Sequence, residues 1–162
     1  MKPNPYRLAS YLHESRDRVG IVIGSKMVDI DKAFAVLPAD AAVGRLPTML
    51  TLLQKWPEVK SVVADAAAHL QEHPDALSEM NPVEVGEVDL LSPIPNPGKI
   101  INAGLNFFDH AREMGFESLP EGFQPNFFSK GDSSSVIGHA QSIILSSSFV
   151  DWEAELAVII GR

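Results

Sequence analysis

SPIPNPG, residues Ser92 to Gly98, places three prolines and a glycine in seven positions, and its reading decides how the rest of the chain divides. Proline fixes φ and has no N–H to donate, so a stretch this rich continues neither a helix nor a central strand. It reads as a linker over 92–98, joining an N-terminal domain at 1–91 to a second part at 99–162. Upstream, YRLASYLH, the polar ESRD, RVGIVIG and KMVDI alternate and turn, which predicts a short antiparallel meander. Asp31 is placed to cap a helix running through Val36, and a second helix is expected from Pro47 to Trp56, stopped by Pro57. A third follows in EVKSVVADAAAHLQEH, where Val59, Val62, Val63, Ala66 and Leu70 share one face at helical spacing before Pro74 ends it. Downstream, KIINAG, NFF, SVIGHAQSIIL and the closing acidic stretch read as short strands and turns. The expected fold class is α+β: a small N-terminal α/β domain followed by a mostly-β part. That second part looks incomplete, because a sheet built from so few residues leaves its edges unpaired and an apolar face uncovered.

The chain has 162 residues, 45% hydrophobic and 21% charged, as a soluble globular protein would. Its formal net charge of −8 argues against a nucleic-acid backbone or an anionic membrane as partner, since both need clustered Lys and Arg. A cationic ligand fits better. Without cysteine there is no disulfide framework and no thiolate metal site, so carboxylates, histidines or carbonyls must hold any metal. The opening MKPNPYRLAS lacks the apolar core of a signal peptide, and no stretch approaches the roughly eighteen apolar residues of a membrane span. The expected location is cytoplasmic.

Three constellations could carry chemistry. In DWEAELAVIIGR, Asp151 to Arg162, a strand would put Asp151, Glu153 and Glu155 on one face and Trp152, Ala154, Leu156, Val158 and Ile160 on the other. Same-face carboxylates about 6.5 to 7 Å apart repel by roughly 2.5 kcal/mol at an effective dielectric of 20, which water or a divalent cation would offset. Oxygen-only ligands suit a hard ion such as Mg²⁺, Mn²⁺ or Ca²⁺; the bland alternative is a solvated strand face. In GLNFFDHAREMG, Gly104 to Gly115, Asn106 is a plausible N-cap and Gly115 a plausible C′ residue. His110 and Glu113 then stand three apart on a short helix, where a carboxylate can orient an imidazole for base chemistry; an ordinary surface ion pair is the alternative. In FFSKGDSSSVIGHA, Phe127 to Ala140, Lys130 could bind a substrate carboxylate and the following turn could offer N–H groups to an oxyanion, unless the stretch is simply a hairpin loop. His69-Leu-Gln-Glu72-His73 spells H-x-x-E-H, but Leu70 belongs to the buried stripe and Pro74 stops the helix, so it reads as a decoy.

Taken in order, KIINAGLNFFDHAREMG, FFSKGDSSSVIGHAQSIIL and VDWEAELAVIIGR closely resemble the start of the catalytic domain in the fumarylacetoacetate hydrolase family, from about Lys99 to the end. Residues 1–91 resemble the smaller N-terminal domain of bacterial two-domain members. The resemblance implies a mixed, mostly β catalytic part that binds Mg²⁺ or a similar ion, with Mn²⁺ and Ca²⁺ as alternatives, in a homodimer. It implies Glu153 and Glu155 as metal ligands, His110 with Glu113 as the catalytic H-x-x-E pair, and Lys130 as a substrate-binding residue, with Asp151 only a neighbour of the ligands. It also implies a further Asp ligand beyond Arg162, so the chain is expected to be an inactive fragment.

The expected chemistry is hydrolysis of a C–C bond in a β-diketo acid or acylpyruvate through a metal-stabilised enolate, with His110 activating water and Glu113 holding it. Decarboxylation, isomerisation or hydration of related 2-oxo dicarboxylates uses the same enolate and stands as the alternative. A noncatalytic binding module, whose acidic strand is merely solvated, is the alternative of another class. No nucleic acid and no membrane partner is expected.

Overall fold

The computed structural model describes residues 6–38, 44–131 and 135–160. Three strands open the chain: β1 (Arg7–His13), β2 (Arg16–Ile23) and β3 (Lys26–Asp29). They form the antiparallel meander that the alternation predicts, and β4 (Val83–Glu84) completes a sheet of order β1-β2-β3-β4. The β1–β2 turn is tight, with Glu14 and Ser15 both at positive φ. Between β3 and β4 lie α1 (Ile30–Phe34), α2 (Met49–Gln54), α3 (Trp56–Glu72) and α4 (Pro74–Glu79).

These elements bury two apolar clusters, one on each face of the sheet. Alternate residues of β2 and β3 point to opposite faces, so Val19, Ile21 and Val28 pack toward the helices while Val22 and Met27 pack with Tyr11 on the other side. On α3 the buried stripe is Val59, Val63, Ala66, Ala67 and Leu70, with the expected Val62 only half-buried. Each large side chain buried here, such as Ile21 or Leu52, contributes about 1.5 to 3 kcal/mol. Gly20 makes room for Met27, since a Cβ at Gly20 would overlap the Met27 side chain.

The helix boundaries differ from expectation in instructive ways. Asp29, not Asp31, caps α1: its side chain accepts the Asp31 N–H at 3.0 Å. Pro57 and Pro74 open α3 and α4 instead of closing the helices before them, because a proline in the first turn loses only an N–H that would be unpaired anyway. Thr48 caps α2, its hydroxyl accepting from the Thr51 N–H.

The free edge of β1 is also covered. Leu12 N–H donates to the Asp89 carbonyl and Leu91 N–H to the Ser10 carbonyl, each at 2.9 Å, while buried Ser10 donates its hydroxyl to the Pro93 carbonyl. On the far side of this added segment His139 N–H reaches the Leu90 carbonyl at 3.0 Å. Gly138 permits that approach, because a Cβ there would lie 2.7 Å from the Leu90 oxygen.

Two compact units result: Met1–Ile94 with Gly138–Arg162, and Pro95–Ile137. The second holds the antiparallel pair β5 (Ile101–Gly104) and β6 (Asn126–Ser129), with α5 (Phe108–Glu113) between them in sequence. The expected fold class is therefore corrected. Helices and strands interleave along the chain, instead of a small N-terminal α/β domain preceding an incomplete mostly-β one, and the residues from Gly138 onward group with the first unit. The expected acidic strand is corrected too: residues 151–160 have no regular secondary structure, and Trp152, Leu156 and Ile160 are more than four-fifths exposed. Alternation makes a strand only where a neighbouring backbone supplies the ladder, and this segment has no ladder partner among the described residues.

A polar cluster ties the meander together. Tyr11 lies directly across from Arg18, and both meet the Asp29 carboxylate: the phenol donates at 3.0 Å and the guanidinium at 2.8 and 2.7 Å, all to Oδ2. Burial, reinforced by the adjacent Asp29 charge, pushes the Tyr11 phenol from 10.0 up to about 12. The folded state thus holds this proton more tightly than the unfolded chain, so stability is full below pH 10 and falls as pH rises from 10 to 12. Urea unfolding across that range should show a loss of about 2 kcal/mol that Tyr11→Phe largely removes. An equally steep alkaline limb in Tyr11→Phe would show that another group carries it.

Candidate functional site

The short helix α5 leaves the end of β5 after Leu105, which adopts φ +57. Asn106 does not cap it: Phe107 occupies the N-cap position and makes no side-chain cap bond. The other end is closed more firmly. Gly115, at φ +86, donates its N–H to the Arg112 carbonyl, and Phe116 donates to the Ala111 carbonyl, both at 2.9 Å. These are the 5→2 and 6→1 bonds of a Schellman motif. Ala111 is the buried residue of α5, which leaves the flanking side chains facing outward.

On that helix His110 Nδ1 stands 3.6 Å from Glu113 Oε2, with the side chains 49% and 79% exposed. The separation is that of an ion pair, longer than a hydrogen bond. With Nδ1 turned to the carboxylate, Nε2 is the nitrogen free to exchange a proton with a bound molecule. Arg112 and Asp109 form a second i, i+3 pair at 3.7 Å, both side chains exposed. A shallow depression of about 340 Å³ lies beside the helix end, lined by Arg112, Gly115, Phe116 and Glu117.

The remaining sequence-derived candidates fare differently. Lys130 follows β6 directly; its N–H donates to the Ile100 carbonyl at 3.1 Å and its side chain is exposed. The proposed oxyanion turn involves residues 132–134, which lie outside the described residues. Glu153, Glu155 and Asp151 are exposed on the irregular segment of the first unit, where Asp151 Oδ1 accepts the Trp152 N–H at 2.8 Å. Their donor type suits a hard cation, yet among the described residues no three His, Asp or Glu side chains gather closely enough to hold one. His69 and His73 stack with ring centroids 4.2 Å apart, and His73 Nδ1 lies 2.9 Å from the His69 carbonyl, so the H-x-x-E-H string closes a helix end. Sequence reasoning missed Phe116, whose signal would have been its place directly after a C′ glycine.

Residues 99–162 match one family of proteins, described as fumarylacetoacetate (FAA) hydrolase C-terminal. Among individual relatives, the rat mitochondrial oxaloacetate tautomerase Fahd2a is 33% identical over 156 residues, covering 95% of this chain and 43% of that protein. Maleylpyruvate hydrolase of Aquipseudomonas alcaligenes is 26% identical, over 91% of this chain and 51% of its own. Of solved structures, a maleylpyruvate hydrolase from Sphingobium sp. SYK-6, crystallised with manganese(II) and pyruvate, aligns at a TM-score of 0.42 and 24% identity. It covers 76% of this chain and 36% of that one. The chain thus spans about half or less of the length of these relatives.

Two expectations are corrected by these matches. The expectation of an inactive fragment is set aside: the family description holds over the whole of 99–162, and 95% of the chain aligns with the rat protein, 43% of whose length it spans. The cytoplasmic assignment is set aside as well, because the tautomerases of rat, cattle, human and Xenopus laevis are mitochondrial by name.

An exposed ion pair contributes little to stability, so His110→Ala should change the free energy of urea unfolding by less than about 0.5 kcal/mol. A loss several times larger would show that the imidazole holds the fold together and is not free for chemistry.

Proposed function

We propose that this chain belongs to an enzyme of the fumarylacetoacetate hydrolase family that hydrolyses a C–C bond in a β-diketo acid or acylpyruvate. The observation that carries this is the His110–Glu113 pair, held in solvent on α5 inside the span that matches the family. In this reading 99–162 is the catalytic part, joined through 92–98 to 1–91, and the enzyme is a homodimer. Glu153 and Glu155 would hold a divalent ion through hard oxygen donors, Mg²⁺ or Mn²⁺ being the natural choices and Ca²⁺ the third. When bound, such an ion supplies positive charge beside an enolate oxygen.

The proton steps belong to the protein. His110 Nε2 takes a proton from water as the water oxygen bonds to the carbonyl carbon. The C–C bond then breaks, its electrons pass to the departing enolate, and the imidazolium returns its proton to the enolate carbon, restoring neutral His110. Glu113, beside Nδ1, stabilises the imidazolium formed in between. Lys130 would bind the substrate carboxylate.

A second reading is favoured by one observation: the relatives 32–33% identical over most of the chain are named oxaloacetate tautomerases, against 26% for the hydrolase. In tautomerisation His110 would remove the C3 proton of a 2-oxo dicarboxylate, breaking that C–H bond, and return a proton to the enolate oxygen, with no C–C bond cleaved. Both readings require proton transfer at one imidazole beside one carboxylate.

The test is an assay of the 162-residue chain with Mn²⁺, following C–C cleavage of an acylpyruvate and enol–keto conversion of oxaloacetate. Turnover should fall about 10² to 10⁴-fold in His110→Ala. Glu153→Gln with Glu155→Gln should abolish the dependence on Mn²⁺. If the double Gln variant changes neither Mn²⁺ affinity by calorimetry nor turnover, the acidic segment is only solvated and a noncatalytic role takes the place of this one.

A further inference from the structure

We infer that Gly115 is a positioning residue for the His110–Glu113 pair, an inference that takes that pair to be the proton-transfer group proposed above. Helix α5 has six residues and no side-chain cap at its start, and so short a helix does not persist on its own propensity. Three backbone bonds close its last turns: Met114 N–H to the His110 carbonyl at 3.1 Å, Gly115 N–H to Arg112 and Phe116 N–H to Ala111. The last of these exists only while residue 115 holds φ near +86, where the chain reverses out of the helix. His110 and Glu113 meet because one helical turn separates them, so their approach at 3.6 Å depends on that turn staying closed, which the Phe116–Ala111 bond beyond Gly115 reinforces.

The position separates backbone from side-chain effects cleanly. A Cβ built at Gly115 meets nothing within 4 Å, so alanine there clashes with no neighbour and acts through φ alone. Asparagine tolerates the left-handed region, whereas alanine resists it and β-branched valine resists it most. Losing that conformation lowers the population of the closed turn by about tenfold, the factor expected for a residue other than glycine held left-handed.

The experiment records the ¹⁵N signals of the His110 imidazole in the full 162-residue chain, with and without Glu113→Gln, in four backgrounds: wild type, Gly115→Asn, Gly115→Ala and Gly115→Val. In the wild type, Glu113→Gln should move the His110 signals. That response should persist in Gly115→Asn, weaken in Gly115→Ala and fall about tenfold in Gly115→Val. Amide protection of Val19 and Ile21 reports in each background whether the first unit remains folded. A response in Gly115→Val equal to wild type overturns the inference, as does equal loss in Gly115→Asn and Gly115→Val. Should the valine variant not fold, the order of Gly115→Asn and Gly115→Ala decides in the same way. Turnover of oxaloacetate with Mn²⁺, measured on the same proteins, should follow the response in kcat and leave KM unchanged. If the coupling grades as stated while turnover does not follow it, the positioning role stands and the proposed catalytic role fails.

Discussion

A single carboxylate organises the first unit. Asp29 ends β3 and begins α1, and its two oxygens divide the work: Oδ1 accepts the Asp31 N–H that starts the helix, while Oδ2 takes the Tyr11 phenol and both facing nitrogens of Arg18. With a side chain only 9% exposed, Asp29 sits where an unpaired charge would be strongly unfavourable. The bonds fix which residues of β1 and β2 lie opposite each other, and a slip by one residue would break them while turning Val19 and Ile21 away from the helices. Strand register, helix entry and core face therefore follow from one side chain and its donors.

The second unit works on another scale. Its ordered backbone is a two-stranded pair and a six-residue helix, and Phe107, Phe108 and Phe127 are each more than three-fifths exposed. Few buried contacts stabilise α5, which leaves Ala111 and the backbone turn at its end to set the direction of His110 and Glu113. Reactive groups on such an element stay accessible to solvent and to a ligand, whereas groups in the first unit's core do not.

What was legible in the sequence was local. The meander and the α3 stripe could be read because period-2 and period-3.6 patterns are properties of neighbouring residues. The His110–Glu113 approach and the Gly115 turn were equally readable, since each depends on three or four residues in a row. Asp29 was passed over in favour of Asp31 because its advantage comes from Arg18 and Tyr11, eleven and eighteen positions away. The closing acidic segment failed for the opposite reason: its alternation is strong, but a strand is a relation between two backbones, and one of them cannot be read from the other's pattern. Prolines 57 and 74 were recognised as punctuation and assigned to the wrong side of the break, where only the first-turn rule distinguishes start from stop.

The backbone bond from His139 to Leu90, together with the Ser10 contact to Pro93, fastens the chain just before residue 95 and again just after residue 137. The stretch between is an excursion with pinned ends, so the entropy of closing it is already met by the first unit. Lengthening such an excursion adds only about 0.6 kcal/mol for each doubling. Insertions and deletions between those anchors should therefore be far easier for descendants of this sequence to absorb than changes of equal size within the meander, giving evolution a place to vary one part while the other stays fixed.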